Sequence, residues 1–367
     1  VVSLGAVGDG STDDTSAFLN ALNQAQAEAS AGGFSVVYVP AGAYKISQSL
    51  SLCDSMVLKG DGAESSVLLF SNSSGNCLSL SGCDVTGVED LKVTNSGASS
   101  DAHHIYMYNS YDCWVRGIES YKAPKHHIYM VSCSSCELRD SYYHEARDYG
   151  GGGYGYGVMI NTGCSHILVE NNIFRHLRHS MLLFNNCHWN VFGYNASIDP
   201  YRDEWPHNFA SDMTIHGHYT PEMSGPYENL FEGNYAWHAH ADDSHDENGP
   251  YNTFFRNQVI GIGINIHRHT DNQNVAVNYF QCDNEWVGYG YPWEVNGDNH
   301  ICEHNKTKWK TLWWWNVRWR DSQNSAWDND YSYYLDSAPD FMSGEPWPFN
   351  PRNTGTNPPA RDRYVSG

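Results

Sequence analysis

Positive charge is scarce in this chain of 367 residues: 21 Lys+Arg, only eight of them lysine, stand against 42 Asp+Glu. The resulting net charge of −21 argues against a nucleic-acid or anionic-membrane binder, since both use a cationic face. No run of 18 apolar residues occurs, so no segment reads as a transmembrane helix. Charged residues make up only 17%, and after the first thirty positions no stretch carries a helical period. Aromatics are plentiful instead, with 25 Tyr and 13 Trp, which excludes a disordered chain. Ten cysteines beside eight lysines fit a secreted protein. The opening Val1-Val2-Ser3 reads as a mature, processed form. Asn72-Ser73-Ser74, Asn195-Ala196-Ser197 and Asn305-Lys306-Thr307 are glycosylation sequons, relevant in a eukaryotic source.

What is present is a repeat. His103-His104-Ile105-Tyr106-Met107 returns unchanged as His126-His127-Ile128-Tyr129-Met130, an offset of 23 residues. Gly225-Pro226-Tyr227 returns as Gly249-Pro250-Tyr251, and Leu230-Phe231-Glu232-Gly233-Asn234 is echoed by Phe254-Phe255-Arg256-Asn257. A phase marker runs through Cys113, Cys136, His166, Asn190, Asn229, Asn252 and Asn274. Units of about 23 residues holding two or three short β-type runs are coils of a parallel β-helix. Asn171, Asn195, Asn234, Asn257 and Asn278 recur at strand ends and read as a structural ladder. Two coils are long, around Gly150-Gly151-Gly152-Gly153 and from Asp199 to Gly225; such insertions form loops on one face, often the binding face.

The N-terminus differs. Asp13-Asp14-Thr15 precedes an amphipathic helix, about residues 13–30, which would cap the open end of the solenoid. Gly8-Asp9-Gly10-Ser11-Thr12-Asp13-Asp14-Thr15-Ser16-Ala17-Phe18, with Val37-Tyr38-Val39-Pro40-Ala41-Gly42-Ala43-Tyr44, resembles the opening segment of the pectate-lyase-like superfamily. The resemblance implies an all-β, right-handed parallel β-helix with an N-terminal capping helix. It also implies polysaccharide lyase, glycosidase or epimerase chemistry, or a phage tailspike, since this fold serves all of them. The repeat extends over residues 1–304, and a Trp- and Pro-rich tail, 305–367, is expected to pack back on the helix.

Stacking the strands with Ile105, Met181 and Met213 inward places Asp212 beside Asp243 on an exposed face. Asp242, His216, His245, Glu247 and His267 then lie close by. Two carboxyl groups across a glycosidic bond are what hydrolysis needs, one as acid and one as base or nucleophile. Ser211-Asp212 and Asp242-Asp243 are similar in order and phase to the Asp and Asp-Asp segments of polygalacturonase-type glycosidases. The Gly-His-Gly and Arg-Ile-Lys of those enzymes are missing; the corresponding stretch reads Gly261-Ile262-Gly263-Ile264.

A second constellation is basic. Arg175, His176, Arg178 and His179 precede the Met181 strand, with His144 and Arg147 one coil earlier. A lyase or epimerase of uronates needs a cation at the carboxylate and a base for the α-proton, roles open to His179, His216, Arg178 and Tyr156. His238-Ala239-His240-Ala241-Asp242 suggests a metal, but residues in line on one strand rarely converge on one ion, so no zinc ligand is assigned. Calcium at Asp or Glu is compatible and no cofactor is required. Among the aromatics near the insertions (Tyr142, Tyr143, Tyr149, Tyr154, Tyr156, Tyr201, Trp205, Phe209, Tyr219), Trp205 is the best candidate for stacking on sugar; the alternative is loop anchoring. Cys113/Cys136, Cys164/Cys187 and Cys53/Cys77 are one coil apart, compatible with disulfides or with reduced stacks.

The sequence therefore points to a secreted carbohydrate-active enzyme working in a groove on the β-helix. The leading expectation is a glycoside hydrolase with Asp212 and Asp243 as the pair, assisted by Asp242, Glu247, His216 and His245. Substrate contacts fall to His179, Arg178, His267, Arg268, Trp205 and Tyr156. The alternatives are a lyase or epimerase of a uronate glycan, and a non-catalytic glycan-binding or surface-assembly β-helix. The expected partner is a poly- or oligosaccharide, with no nucleic acid and no membrane. A monomer or a homo-oligomer such as a trimer is compatible.

Overall fold

The computed structural model describes residues 1–97, 100–205, 207, 210–217, 224–282, 293–310, 317–321, 331–351 and 357–366. The chain is an all-β parallel solenoid of about ten turns. An 11-stranded parallel sheet forms one wall, and a 21-stranded sheet wraps the rest of the coil. No described helix is long and apolar enough to cross a membrane.

The cap is the helix Thr15–Ser30, which buries Phe18, Leu22 and Ala25 on the first coil. Asp14 is the N-cap residue but its side chain makes no capping bond; the Asp13 carboxylate before it accepts the Thr15 N–H at 3.0 Å. Asp14 instead accepts the N–H groups of Val7 and Gly8, at 2.6 and 3.1 Å. Gly8 has φ +69°, and a Cβ there would sit 2.9 Å from the Tyr44 ring, so the turn requires glycine.

Each regular coil has a three-residue strand in the small sheet, such as Trp114–Arg116 or Leu230–Glu232. Non-glycine residues at positive φ bracket these strands: Asp112, Ser135, His166, Trp189, Glu228 and Tyr251 before them, Asp140, Asn171, Tyr194, Arg256 and Val277 after them. These left-handed corners turn the chain without helices. The small-sheet register aligns Trp114, Glu137, Leu168, Val191, Leu230, Thr253 and Asn274. The internal column just before them is therefore Cys113, Cys136, Ile167, Asn190, Asn229, Asn252 and Gln273, one residue away from the expected marker at His166 and Asn274.

The asparagine ladder is Asn172, Asn195, Asn234, Asn257, Asn278 and Asn305, each Nδ2–H donating to the next Oδ1 at 3.0 Å. Asn172, not Asn171, begins it; Asn171 is the left-handed corner residue and its amide donates to Asp140. Between the asparagines, Phe192, Phe231 and Phe254 stack with centroids 4.8 and 5.1 Å apart.

The expected disulfides are not formed. The nine cysteines with described side chains are all free thiols. The thiols donate to carbonyls: Cys113 to Tyr111 and Cys136 to Ser134. They fill the coil interior as small apolar groups.

In the large sheet the inward column is Ile105, Ile128, Val158, Met181, Met213, Ala239 and Ile264, all fully buried. The two long insertions leave this sheet between paired strands, after Tyr142–Ala146 and after Ala196–Ile198. The following coils instead have one continuous strand, Tyr235–Asp242 and Gln258–Ile266. Described tail residues pack elsewhere: the Tyr334 hydroxyl donates to Glu170 at 3.0 Å, and Arg363 donates to Asn171. The side chains of Trp309 and Trp319, and all of Trp313 to Trp315, lie outside the described residues.

Candidate active site

The insertions and the large sheet enclose a groove of about 540 Å³. Its floor is a column one residue away from the expected one. His126 aligns with Tyr156 and Tyr156 with His179. His103 stacks on His126 at 4.8 Å, His126 on Tyr156 at 4.7 Å, and the Tyr156 and His179 rings meet edge-on at 4.7 Å. The expected outward column, His104, His127, Ser180 and Asp212, is fully buried. At this point the large sheet bends. Two successive residues of each strand therefore face inward, and strict alternation fails. His104 and His127 share the Ser120 hydroxyl, each at 2.7 Å, inside the bend.

Asp212 lies in the same bend. It accepts backbone N–H groups of Trp237 and His238, at 2.5 and 3.3 Å, and does not line the groove. Its expected partner is also displaced. Met213 aligns with Ala239, so the neighbour of Asp212 is His238, and the neighbour of His216 is Asp242. The Asp212–Asp243 pair is not assembled, because the next strand sets His238, five residues before Asp243, beside Asp212.

Burial raises the Asp212 carboxyl to about 7. Below the ordinary carboxylate range it is neutral in folded and unfolded chains alike. Above that range the unfolded chain ionises freely while the folded chain does not. Stability is therefore lost between about pH 4 and pH 7, by about 4 kcal/mol for a shift of this size. Glu232, buried and raised to about 7, adds a share of the same sign. Urea denaturation against pH should show Asp212→Asn flattening this slope and becoming relatively more stable at pH 8.

The basic constellation divides. Arg175 pairs with Glu145 at 2.9 Å, His176 with Asp199 at 3.0 Å and His144 with Glu119 at 2.9 Å, while Arg147 donates to the Gly97 carbonyl at 2.8 Å. These four brace the fold. Arg178 and His179 line the groove. The His179 Nδ1 lies 2.8 Å from the Ser211 carbonyl, so Nδ1 carries the proton and Nε2 the lone pair. Burial, and then the neighbouring His216, hold His179 well below the usual imidazole range, so it is neutral near pH 7. Arg178 donates to the Gly150 carbonyl and pairs with Glu204 at 3.4 Å, joining the two insertions.

The insertion aromatics mainly anchor loops. Tyr149 and His176 meet at 5.3 Å, and Tyr201 stacks on His176 at 4.7 Å. Trp205 is 73% exposed and does not line the groove. Phe209 and Tyr219 lie outside the described residues.

At the far end of the groove stand His216, His240, Asp242 and His245. Asp243 and His267 sit behind them; Glu247 and Arg268 are exposed and outside the lining. Burial alone would raise the Asp242 carboxyl, but His240, His216 and hydrogen bonds from Ser244 outweigh it and bring it to about 2. Burial lowers His216 to about 4, against the pull of Asp242. Among the described residues two groups have metal-holding geometry, His216–Asp242–His245 and His240–Asp242–His267, each with ligand atoms within 4.8 Å. His240 and Asp242, two apart on one strand, do come together in the second group, without His238, and residues from neighbouring coils, His216 and His267, complete the two groups. Sequence reading missed His103, His126, Lys125, Arg202 and Ser211. The repeated His-His pair was the signal, its first histidine facing the groove and its second the bend.

Residues 1–198 match the model of the family described as rhamnogalacturonase A/epimerase, pectate lyase-like. The chain belongs to that family. The match ends before Ser211, so the His/Asp end of the groove lies beyond it. No curated protein matches in sequence. Three solved structures share the fold at 14% identity. ORF18 of Geobacillus virus E2 has a TM-score of 0.56, over 84% of this chain and 60% of its own. The catalytic domain of a GH87 α-1,3-glucanase in complex with nigerose has a TM-score of 0.51, over 74% and 52%. The surface adhesin PfbA of Streptococcus pneumoniae has a TM-score of 0.55, over 84% and 87%. The chain thus spans little more than half the length of the first two.

Proposed function

We propose that this family member acts on a uronate-containing polysaccharide as a lyase or C5-epimerase, with His179 as the base. The observation that carries this is the charge of the groove. Its lining has three fixed cations, Lys125, Arg178 and Arg202, and one carboxylate, Asp242, in a chain of net charge −21. The anions paired with two of the cations sit further out. Asp101 is 70% exposed against 26% for Lys125, and Glu204 is 45% exposed against 18% for Arg178. The inward side is left positive, which suits an acidic chain.

The chemistry follows from the base. His179 Nε2 takes the proton from C5, α to the uronate carboxylate, and a groove cation stabilises the charge that develops there. Elimination then breaks the C4–O bond, leaving a C4–C5 double bond, with a proton delivered to the departing oxygen. Epimerisation instead returns a proton to C5 from the other face; Tyr156, whose ring meets His179 edge-on, is the candidate donor to the departing oxygen in elimination. Hydrolysis by a carboxylate pair has less support, because it needs two carboxyls across the bond and the described lining has one.

The test is a panel of acidic and neutral glycans, read for ultraviolet absorbance of the new double bond, for reducing ends and for sugar composition. Unsaturated products or changed uronate composition are expected from acidic glycans alone. Cleavage restricted to neutral glycans would contradict the proposal.

A further inference from the structure

We infer that His240, Asp242 and His267 form a binding site for a divalent transition metal of the zinc type. The site uses different residues from His179 and stands whether or not the uronate reading holds. Its ligand nitrogens are fixed by what their other ring nitrogens touch. His267 Nδ1 lies 2.9 Å from the Asp243 carboxylate, so Nδ1 carries the proton and Nε2 the lone pair. His240 Nδ1 lies 3.2 Å from the Ser211 hydroxyl, which leaves its Nε2 turned to His267. The two Nε2 atoms are 3.1 Å apart. Nitrogens bound tetrahedrally at about 2.0–2.1 Å stand about 3.3 Å from each other, so small ring movements suffice to seat an ion.

The third donor, Asp242, brings the negative charge. One of its oxygens lies 3.6 Å from His267 Nδ1, within the 4.8 Å that encloses the ligand atoms of the group, and Asp242 aligns with His216 on the preceding coil. Two imidazoles and one carboxylate are the donors zinc accepts, and calcium prefers six to eight oxygens. His240 and Asp242 line the groove, so a further coordination position would face it and could take water or a substrate oxygen. The alternative group, His216–Asp242–His245, is built differently: His216 Nδ1 meets His245 Nδ1 at 3.0 Å, and the carboxylate beside the other His216 nitrogen is Asp242 itself, at 3.4 Å, rather than a separate acid such as Asp243 behind His267. The histidines come from successive coils, so the parallel stacking itself assembles the site.

The experiment strips the full chain with a chelator, titrates it with Co²⁺ followed by visible absorbance, and then displaces Co²⁺ with Zn²⁺. One ion per chain is expected, with the intense absorption of a low-coordinate cobalt site that Zn²⁺ abolishes. His240→Gln and His267→Gln should each lose it while circular dichroism and melting stay those of the parent. Asp243→Asn should weaken binding about 10- to 100-fold. His245→Ala should bind as the parent does. No stoichiometric cobalt binding by the parent would overturn the site, as would binding lost in His245→Ala but kept in the folded His267→Gln. Displacement of Co²⁺ by Ca²⁺ as readily as by Zn²⁺ would also overturn it.

Discussion

His179→Ala is expected to slow turnover of an acidic glycan by about a thousandfold, within the range for loss of a general base. The Ser211 carbonyl fixes the tautomer, and the Tyr156 ring at 4.7 Å fixes the plane of the imidazole. A base so constrained has its lone pair placed before substrate arrives. Because His179 takes a proton rather than holding the chain, KM should change far less than kcat. His176→Ala is the control: that ring pairs with Asp199 and braces the loop, so its loss should leave the kcat of the folded protein near that of the parent. Steady-state kinetics on the substrate found by the glycan panel would decide. Equal losses in both variants would contradict a special role for His179.

Arg178→Ala is expected to lower kcat/KM by about a hundredfold, mainly through KM. The guanidinium joins two loops, bonding the Gly150 carbonyl in one and Glu204 in the other. It also supplies one of the three cations of the lining. Removing it leaves Glu204 without that partner beside an acidic substrate, so repulsion adds to the lost attraction. Arg178→Lys should recover part of the affinity, since charge returns without the planar fork. The loss should shrink as salt rises, because screening weakens the parent's advantage. A salt-independent loss would indicate loop collapse instead of lost attraction.

Much of the fold was legible in the sequence because a solenoid repeats its physics. The duplicated His-His-Ile-Tyr-Met segment gave both the coil length and the inward position of Ile105 and Ile128. The first five rungs of the inward column, Ile105 to Met213, follow from it directly. Errors arose where a corner intervened. Left-handed residues such as His166 and Asn171 take the position next to the ladder, and nothing in their side chains marks a positive φ. This shifted the asparagine ladder by one residue at Asn172. Beyond Met213 the rest of the long coil removed the reference for counting, so Asp243 was placed where His238 stands. The bend of the large sheet hid the site itself, since it sends His104 and Asp212 inward and His103, His126 and His179 to the groove. Convergence of His240 and His267 was illegible for a related reason: it depends on the register of Tyr235–Asp242 against Gln258–Ile266, which no local pattern fixes.

The most direct measurement is proton NMR of acidic glycans incubated with the protein in deuterium oxide. The account predicts loss of the C5 proton signal through exchange or elimination, and its persistence with His179→Ala. New reducing ends, with every C5 proton retained and no unsaturated product, would contradict it and return the chemistry to hydrolysis.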